Sequence, residues 1–200
     1  LLDNDGTNFF CQNMGEDVAG SIAEAVAECP GNVTTYLLCP NGAGKFYYPT
    51  RVGEVWEEAE RLVQAHARGK DPFGMFLRAL REAGKETFIT YRMNEVHGAD
   101  DPGYSGTAEF KKQHPDYVVD GHAVREGRAD WMSHCLDYSR AEVREYILAT
   151  MRELVEWYEV DGLQLDWMRF PRHLSGSAGE AWEKRGVLTQ FTAEVRELIK

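Results

Sequence analysis

The sequence predicts an α/β fold, specifically a (β/α)8 TIM-barrel with about its first four βα units present. Three observations carry that prediction. Strand-like and helix-like segments alternate along the chain, an order that implies parallel strands joined by right-handed crossovers. The segments that follow the second and third strands are long, and the strands turn one polar face toward their C-terminal ends, where barrels place their chemistry.

Taken in order, residues 1–4 end a first strand. Residues 17–29 carry Val18, Ile22, Ala25 and Val26 at helical spacing and stop at Pro30-Gly31. Residues 33–39 are β-branched and aromatic between Gly31 and Pro40-Asn41-Gly42, which reads as the second strand. A helical region covers 55–84 with a break at 69–72, and residues 86–93 form the third strand. The polar stretch 94–139, with a short helix over 107–113, is the kind of long excursion that usually has a function. Ser139 and Glu142 have capping-box spacing before Val143, Ile147, Met151, Leu154 and Tyr158, which recur down one helical face. Residues 163–167 are the fourth strand and 181–200 a final helix.

Composition narrows the partners. The 200 residues hold 22 Lys and Arg against 33 Asp and Glu, a net charge of −11. With no local basic patch, this acidity argues against nucleic acid and against anionic membrane. No apolar run of about 18 residues is present to span a bilayer. Cys11, Cys29, Cys39 and Cys135 lack C-x-x-C spacing and read as free thiols, with one disulfide left open. No G-x-G-x-x-G turn follows a strand, and residues 41–45 (Asn-Gly-Ala-Gly-Lys) lack phosphate-loop spacing, so no cofactor is expected. A complete barrel needs about 250 residues. Residues 1–200 therefore read as the N-terminal part of a single barrel domain, to be completed by the remainder of the barrel or by a second copy.

Alternation sets Phe88, Thr90, Arg92 and Asn94 on one face of the third strand, and Gln164 and Asp166 on one face of the fourth. Arg92, Asn94 and Asp166 are thus expected to meet at the barrel mouth, with Trp167 turned toward the helices. Asp166, on rigid backbone with Arg169 close behind, is the leading catalytic or sugar-binding candidate. Asp161 precedes the strand and reads as a turn residue.

The run Asp161-Gly162-Leu163-Gln164-Leu165-Asp166, followed by Arg169-Phe170-Pro171, resembles the D-G-(apolar)-x-(apolar)-D…R-[FY]-P signature of the glycosyl hydrolase-like family 10 barrels, bacterial carbohydrate-active enzymes. His114-Pro115-Asp116-Tyr117 is similar to that family's H-P-E-W segment, and residues 136–144 to its L-N-P…P-E-V-R helix entry. Tyr117 stands in place of Trp, Asp137-Tyr138 in place of Asn-Pro, and Ala141 in place of Pro; Arg92-Met93-Asn94 suggests a subgroup. The resemblance implies a glycoside hydrolase acting on a polysaccharide or oligosaccharide.

Glycosidases commonly pair two carboxyl groups. Asp166 is then the expected nucleophile and Glu95 a candidate partner. Arg92 and Asn94 are expected to orient Asp166 and bind hydroxyls. His97, Trp131, His134, Arg169 and Asp5 are further substrate-binding candidates, the aromatic rings through stacking on sugar faces. Two rival readings remain: a non-catalytic carbohydrate-binding or scaffold barrel, and a metal-dependent hydrolase built on His97 with Asp100 and Asp101.

Overall fold

The computed structural model describes residues 1–99, 101, 104 and 106–200. Four parallel strands form one sheet in the order β1 (Leu2–Asn4), β2 (Thr35–Leu38), β5 (Glu86–Arg92), β6 (Gly162–Asp166). Between β2 and β5 lie a small hairpin, β3 (Asn41–Gly42) and β4 (Lys45–Phe46), and two helices, α2 (Glu60–Ala67) and α3 (Pro72–Glu82). Helix α1 (Val18–Ala27) joins β1 to β2. The β5-to-β6 crossover contains α4 (Glu109–Gln113), α5 (Gly121–Arg125) and the long α6 (Ala141–Trp157); α7 (Ala178–Lys184) and α8 (Gly186–Leu198) close the chain. Each strand thus neighbours the next one of the main sheet, with helical crossovers between them, as in four consecutive units of a (β/α)8 barrel.

Register fixes what each face carries. Leu37 lies opposite Asp3 and Phe88, Thr90 opposite Gln164, and Arg92 opposite Asp166, all on one side of the sheet. Tyr36, Leu38, Ile89 and Tyr91 are on the other side, buried against the helices. The core there is rich in rings: Phe10 stacks on Tyr47 at 5.0 Å, and Phe9 meets Phe76 at 4.7 Å. Phe9 and Phe10 are placed by a π-helical turn over Asn8–Asn13 that periodicity does not announce. It follows Gly6, whose φ of 77° and close approach to the Cys39 carbonyl and the Tyr47 ring leave no room for a Cβ.

Several local expectations are revised. Residues 41–45 form the hairpin, with Ala43 and Gly44 both at positive φ in its two-residue turn. The helix expected from residue 55 begins at Glu60, because Val55 bridges to Phe46 and the Trp56 N–H donates to the Phe46 carbonyl. The Ser139 box does not form. Asp137 accepts both the Ser139 hydroxyl (2.7 Å) and its N–H (3.0 Å), so Arg140 occupies the N-cap position. A complete capping box stands instead at Ser177 and Glu180, opening α7, and the single final helix is two helices meeting at Arg185. The four cysteines are free thiols, Cys39 and Cys135 buried, Cys11 and Cys29 half-buried. Among the described residues no helix is long and apolar enough to cross a membrane.

One buried carboxylate ties the segment after the hairpin to α6. Glu153 accepts from the Tyr48 hydroxyl (2.9 Å), the Thr50 hydroxyl (2.5 Å) and the Arg51 N–H (2.8 Å). Replacing it by Leu leaves the Thr50 hydroxyl and the Arg51 N–H without their acceptor and the Tyr48 hydroxyl with only the Thr150 carbonyl at 3.5 Å. Glu153→Leu is expected to lower unfolding free energy by about 2–4 kcal/mol, read from urea denaturation.

Candidate active site

The strand ends on the inner face converge on a recess of about 190 Å³ lined by Asp3, Asp5, Cys39, Thr90, Arg92, Asp166 and Arg169. It lies at the C-terminal side of parallel strands, where a barrel mouth opens. Three carboxylates face two guanidinium groups there.

Asp166 ends β6 and turns the chain. Its Oδ1 accepts the N–H groups of Met168 (3.0 Å) and Arg169 (3.1 Å), which fixes the carboxylate plane. Its Oδ2 accepts no hydrogen bond from the described residues. Trp167, next along, packs edge-on against Tyr138 at 5.0 Å and His173 at 4.9 Å, in the layer between the sheet and α8.

Arg92 shares the recess with Asp166 but pairs elsewhere. Its guanidinium, 6% exposed, reaches Asp5 at 3.3 Å and Glu95 at 2.9 Å. Its backbone is held on both sides by Asn41, whose Nδ2 donates to the Arg92 carbonyl and whose Oδ1 accepts the Arg92 N–H. Asp3 completes the acidic side. Partial burial holds its carboxyl above the ordinary aspartate range, the charges of Asp166 and Asp5 push the same way, and Arg92 opposes them.

The remaining candidates are distributed differently from the expectation. Asn94 does not reach the recess: it is 2% exposed and its amide is a tie between loops. Its Oδ1 accepts the Leu136 N–H at 2.7 Å, while Nδ2 donates to the Arg172 carbonyl at 3.1 Å and to His173 Nδ1 at 2.8 Å. Strand β5 ends at Arg92, so the alternation that would aim Asn94 into the mouth stops two residues early. Glu95 is likewise buried and absent from the recess lining; Arg92 and His97 Nδ1 occupy its carboxylate. A carboxylate so enclosed anchors Arg92 and is not positioned to protonate a leaving group in the recess.

His97 packs edge-on against Phe170 at 5.2 Å with its Nδ1 on Glu95. Of its expected metal-binding companions, Asp101 is exposed and Asp100 lies outside the described residues. Among the described residues no group of three His, Cys, Asp or Glu side chains forms a metal-holding cluster. Trp131, half-exposed, also meets Phe170 edge-on, at 5.5 Å. The guanidinium of Arg169 stands 5.8 Å over the same ring. His134 lines a different cavity, described below. Asp3, Cys39 and Thr90 were not foreseen as site residues, although extending the period-two count one step back from Arg92 reaches Thr90, and from Asp5 reaches Asp3.

No family model matches the chain. A stretch of 80 residues is 34% identical to a 1,4-alpha-glucan branching enzyme from Nocardia farcinica, covering 40% of this chain and 10% of that enzyme. Alpha-L-fucosidase isoenzyme 2 from Paenibacillus thiaminolyticus is similar in structure with a TM-score of 0.64 and 15% identity, across 99% of this chain and 30% of the fucosidase. The GH36 alpha-galactosidase AgaB from Geobacillus stearothermophilus gives a TM-score of 0.59 and 17% identity, across 98% of this chain and 26% of the galactosidase. At these identities the structural likeness establishes the fold alone, that of a partial (β/α)8 barrel. The chain spans a tenth of the branching enzyme and less than a third of either glycosidase.

His173 makes the rim sensitive to pH. Its Nε2–H donates to the Trp167 carbonyl at 2.7 Å while its Nδ1 accepts from Asn94, an arrangement that needs a neutral ring. Burial lowers its pKa, with the Trp167 carbonyl and Asp166 opposing, and burial also lowers that of His66 in α2. A histidine whose folded pKa lies below its unfolded value of about 6.5 contributes stability that is present above that value and lost as pH falls beneath it. The urea midpoint is therefore expected to fall between pH 7.5 and 5, and the His66→Leu, His173→Gln double variant to show a flatter profile.

Proposed function

We propose that this chain is the N-terminal part of a glycoside hydrolase-like barrel, related to glycosyl hydrolase-like family 10, that hydrolyses O-glycosidic bonds of a polysaccharide or oligosaccharide. The observation that carries this reading is the Asp166 recess at the C-terminal ends of the parallel strands. One carboxylate oxygen is fixed by two backbone N–H groups, the other accepts no hydrogen bond from the described residues, and Asp166 lines a space edged by hydrogen-bonding groups. The glycosidase-type fold and the ordered sequence motifs support it.

In this reading Asp166 is the nucleophile. Its Oδ2 attacks the anomeric carbon to form a glycosyl ester while a second carboxyl group protonates the departing oxygen; water then attacks the anomeric carbon, giving its proton to that second carboxylate, and Asp166 is released. The second carboxyl belongs about 5 Å from Asp166 in a retaining enzyme. Since Glu95 is enclosed, that group comes from the strands that close the barrel between β6 and β1. Asp5 and Asp3 accept hydrogen bonds from sugar hydroxyls, and Arg92 and Arg169 donate to them. Trp131, held edge-on by Phe170 and half-exposed, offers a ring for the apolar face of a sugar that extends beyond the recess.

The test uses the full-length polypeptide and a panel of aryl glycosides. Asp166→Asn is expected to lower kcat about a thousandfold or more. Asp166→Gly with azide is expected to recover turnover and release a glycosyl azide. Undiminished hydrolysis by Asp166→Asn would overturn the assignment, and saccharide binding by the wild type without cleavage would leave a carbohydrate-binding barrel in its place.

A further inference from the structure

A second cavity, of about 430 Å³, lies within the β5-to-α6 excursion, with Tyr104, Thr107, Lys111, Val118, Val124 and His134 in its wall. Lys111 is its unusual member. The ammonium group donates to the Glu95 carbonyl, yet among the described residues no carboxylate lies within ion-pair distance of it. Nearby acids are engaged: Glu109 pairs with Lys112 at 3.0 Å, and the Glu95 carboxylate holds Arg92 and His97. Burial lowers Lys111 to about 8, with Cys135 and Glu95 pulling the other way, so the group still carries its proton at neutral pH. An ammonium partly withdrawn from water, with no carboxylate at ion-pair distance among the described residues, is a strong donor to an anion that enters the cavity.

We propose that this cavity binds a small organic carboxylate with an apolar body, its head accepting hydrogen bonds from the Lys111 ammonium and its body lying against Val118 and Val124. The proposal is independent of the reading of Asp166. The volume suits a ligand of one or two rings. Lys112 adds positive charge to the same wall, and among the described lining residues Asp101 is the acidic group that opposes it. Among the described residues the other titratable groups around Lys111 are Tyr104 and His134 in the wall, Glu95, Arg92, Tyr91 and Tyr146 on its inner side, and Cys135, whose thiol burial pushes up to about 11.

Cinnamate and its neutral isostere cinnamamide are suitable probes, titrated into the chain by isothermal calorimetry. At pH 7 cinnamate is expected to bind about tenfold more tightly, as befits a charge-assisted hydrogen bond. That advantage is expected to shrink toward unity by pH 10 as Lys111 loses its proton. Lys111→Met, which keeps the aliphatic stem, is expected to abolish it at both pH values. In the wild type at pH 8.5, cinnamate binding should take up a fraction of a proton, seen as a dependence of the heat on buffer ionisation, whereas cinnamamide binding should not. This last measurement stands if the variant fails to fold. Equal affinity for the two probes at pH 7, binding of neither, an advantage surviving in Lys111→Met, or cinnamate binding without proton uptake would each overturn the proposal.

Discussion

Arg92 is the residue through which three strand ends are held in one place. A guanidinium at 6% exposure must be neutralised close by, and Asp5 after β1 and Glu95 after β5 do this from two sides. Asn41, just beyond β2, meanwhile pairs with the Arg92 backbone as a strand neighbour would. The ends of β1, β2 and β5 are therefore fixed by one side chain and its own peptide groups. Because Arg92 lies in register with Asp166, the backbone ladder places β6 beside that network, with Asp161 on the Thr87 N–H and Asn94 on the Arg172 carbonyl tying its two ends to β5. The recess is consequently built on rigid elements, as a site requiring sub-ångström placement needs.

Much of the fold was legible because it rests on period. The four strands and the main helices announce themselves through alternation or helical spacing, and parallel order follows from the crossovers. What escaped were elements made by tertiary pairing. The hairpin at residues 41–46 exists because Ala43 and Gly44 accept positive φ and because Val55 and Trp56 return to pair with Phe46. The Ser139 cap failed for a related reason: a spacing rule sees Ser139 and Glu142 but not the stronger acceptor Asp137 two residues earlier.

The site was legible to the extent that it follows the pleat. Arg92 and Asp166 share the recess because both stand on inward positions of paired strands, and Asp5 and Arg169 join them from the adjoining turns. The pleat ends with the strand, and there the inference broke down. Asn94 and Glu95 lie past the last residue of β5, where the backbone no longer alternates and polar side chains satisfy whichever buried partners the loops provide. A loop carboxylate adjacent to a buried arginine is pulled inward by it. Glu95 reads from sequence as a rim acid, but the desolvated charge of Arg92 recruits it as a counter-ion.

Glu95 also joins the two halves of the mouth. Its carboxylate belongs to the Arg92 network and its carbonyl accepts the Lys111 ammonium, so one residue links a side chain of the Asp166 recess to a side chain of the cavity of the long excursion. The two contacts differ in what they can yield. The carboxylate is held by Arg92 and His97 in a buried setting, and displacing it would strand a charge on each side. The carbonyl gives a single neutral acceptor to an ammonium that has three protons to donate. An anion at Lys111 can therefore engage the remaining protons without breaking the bond to Glu95, and the recess need not rearrange when the cavity fills. The excursion can hold a ligand of its own chemistry while the strand ends stay where Arg92 has fixed them.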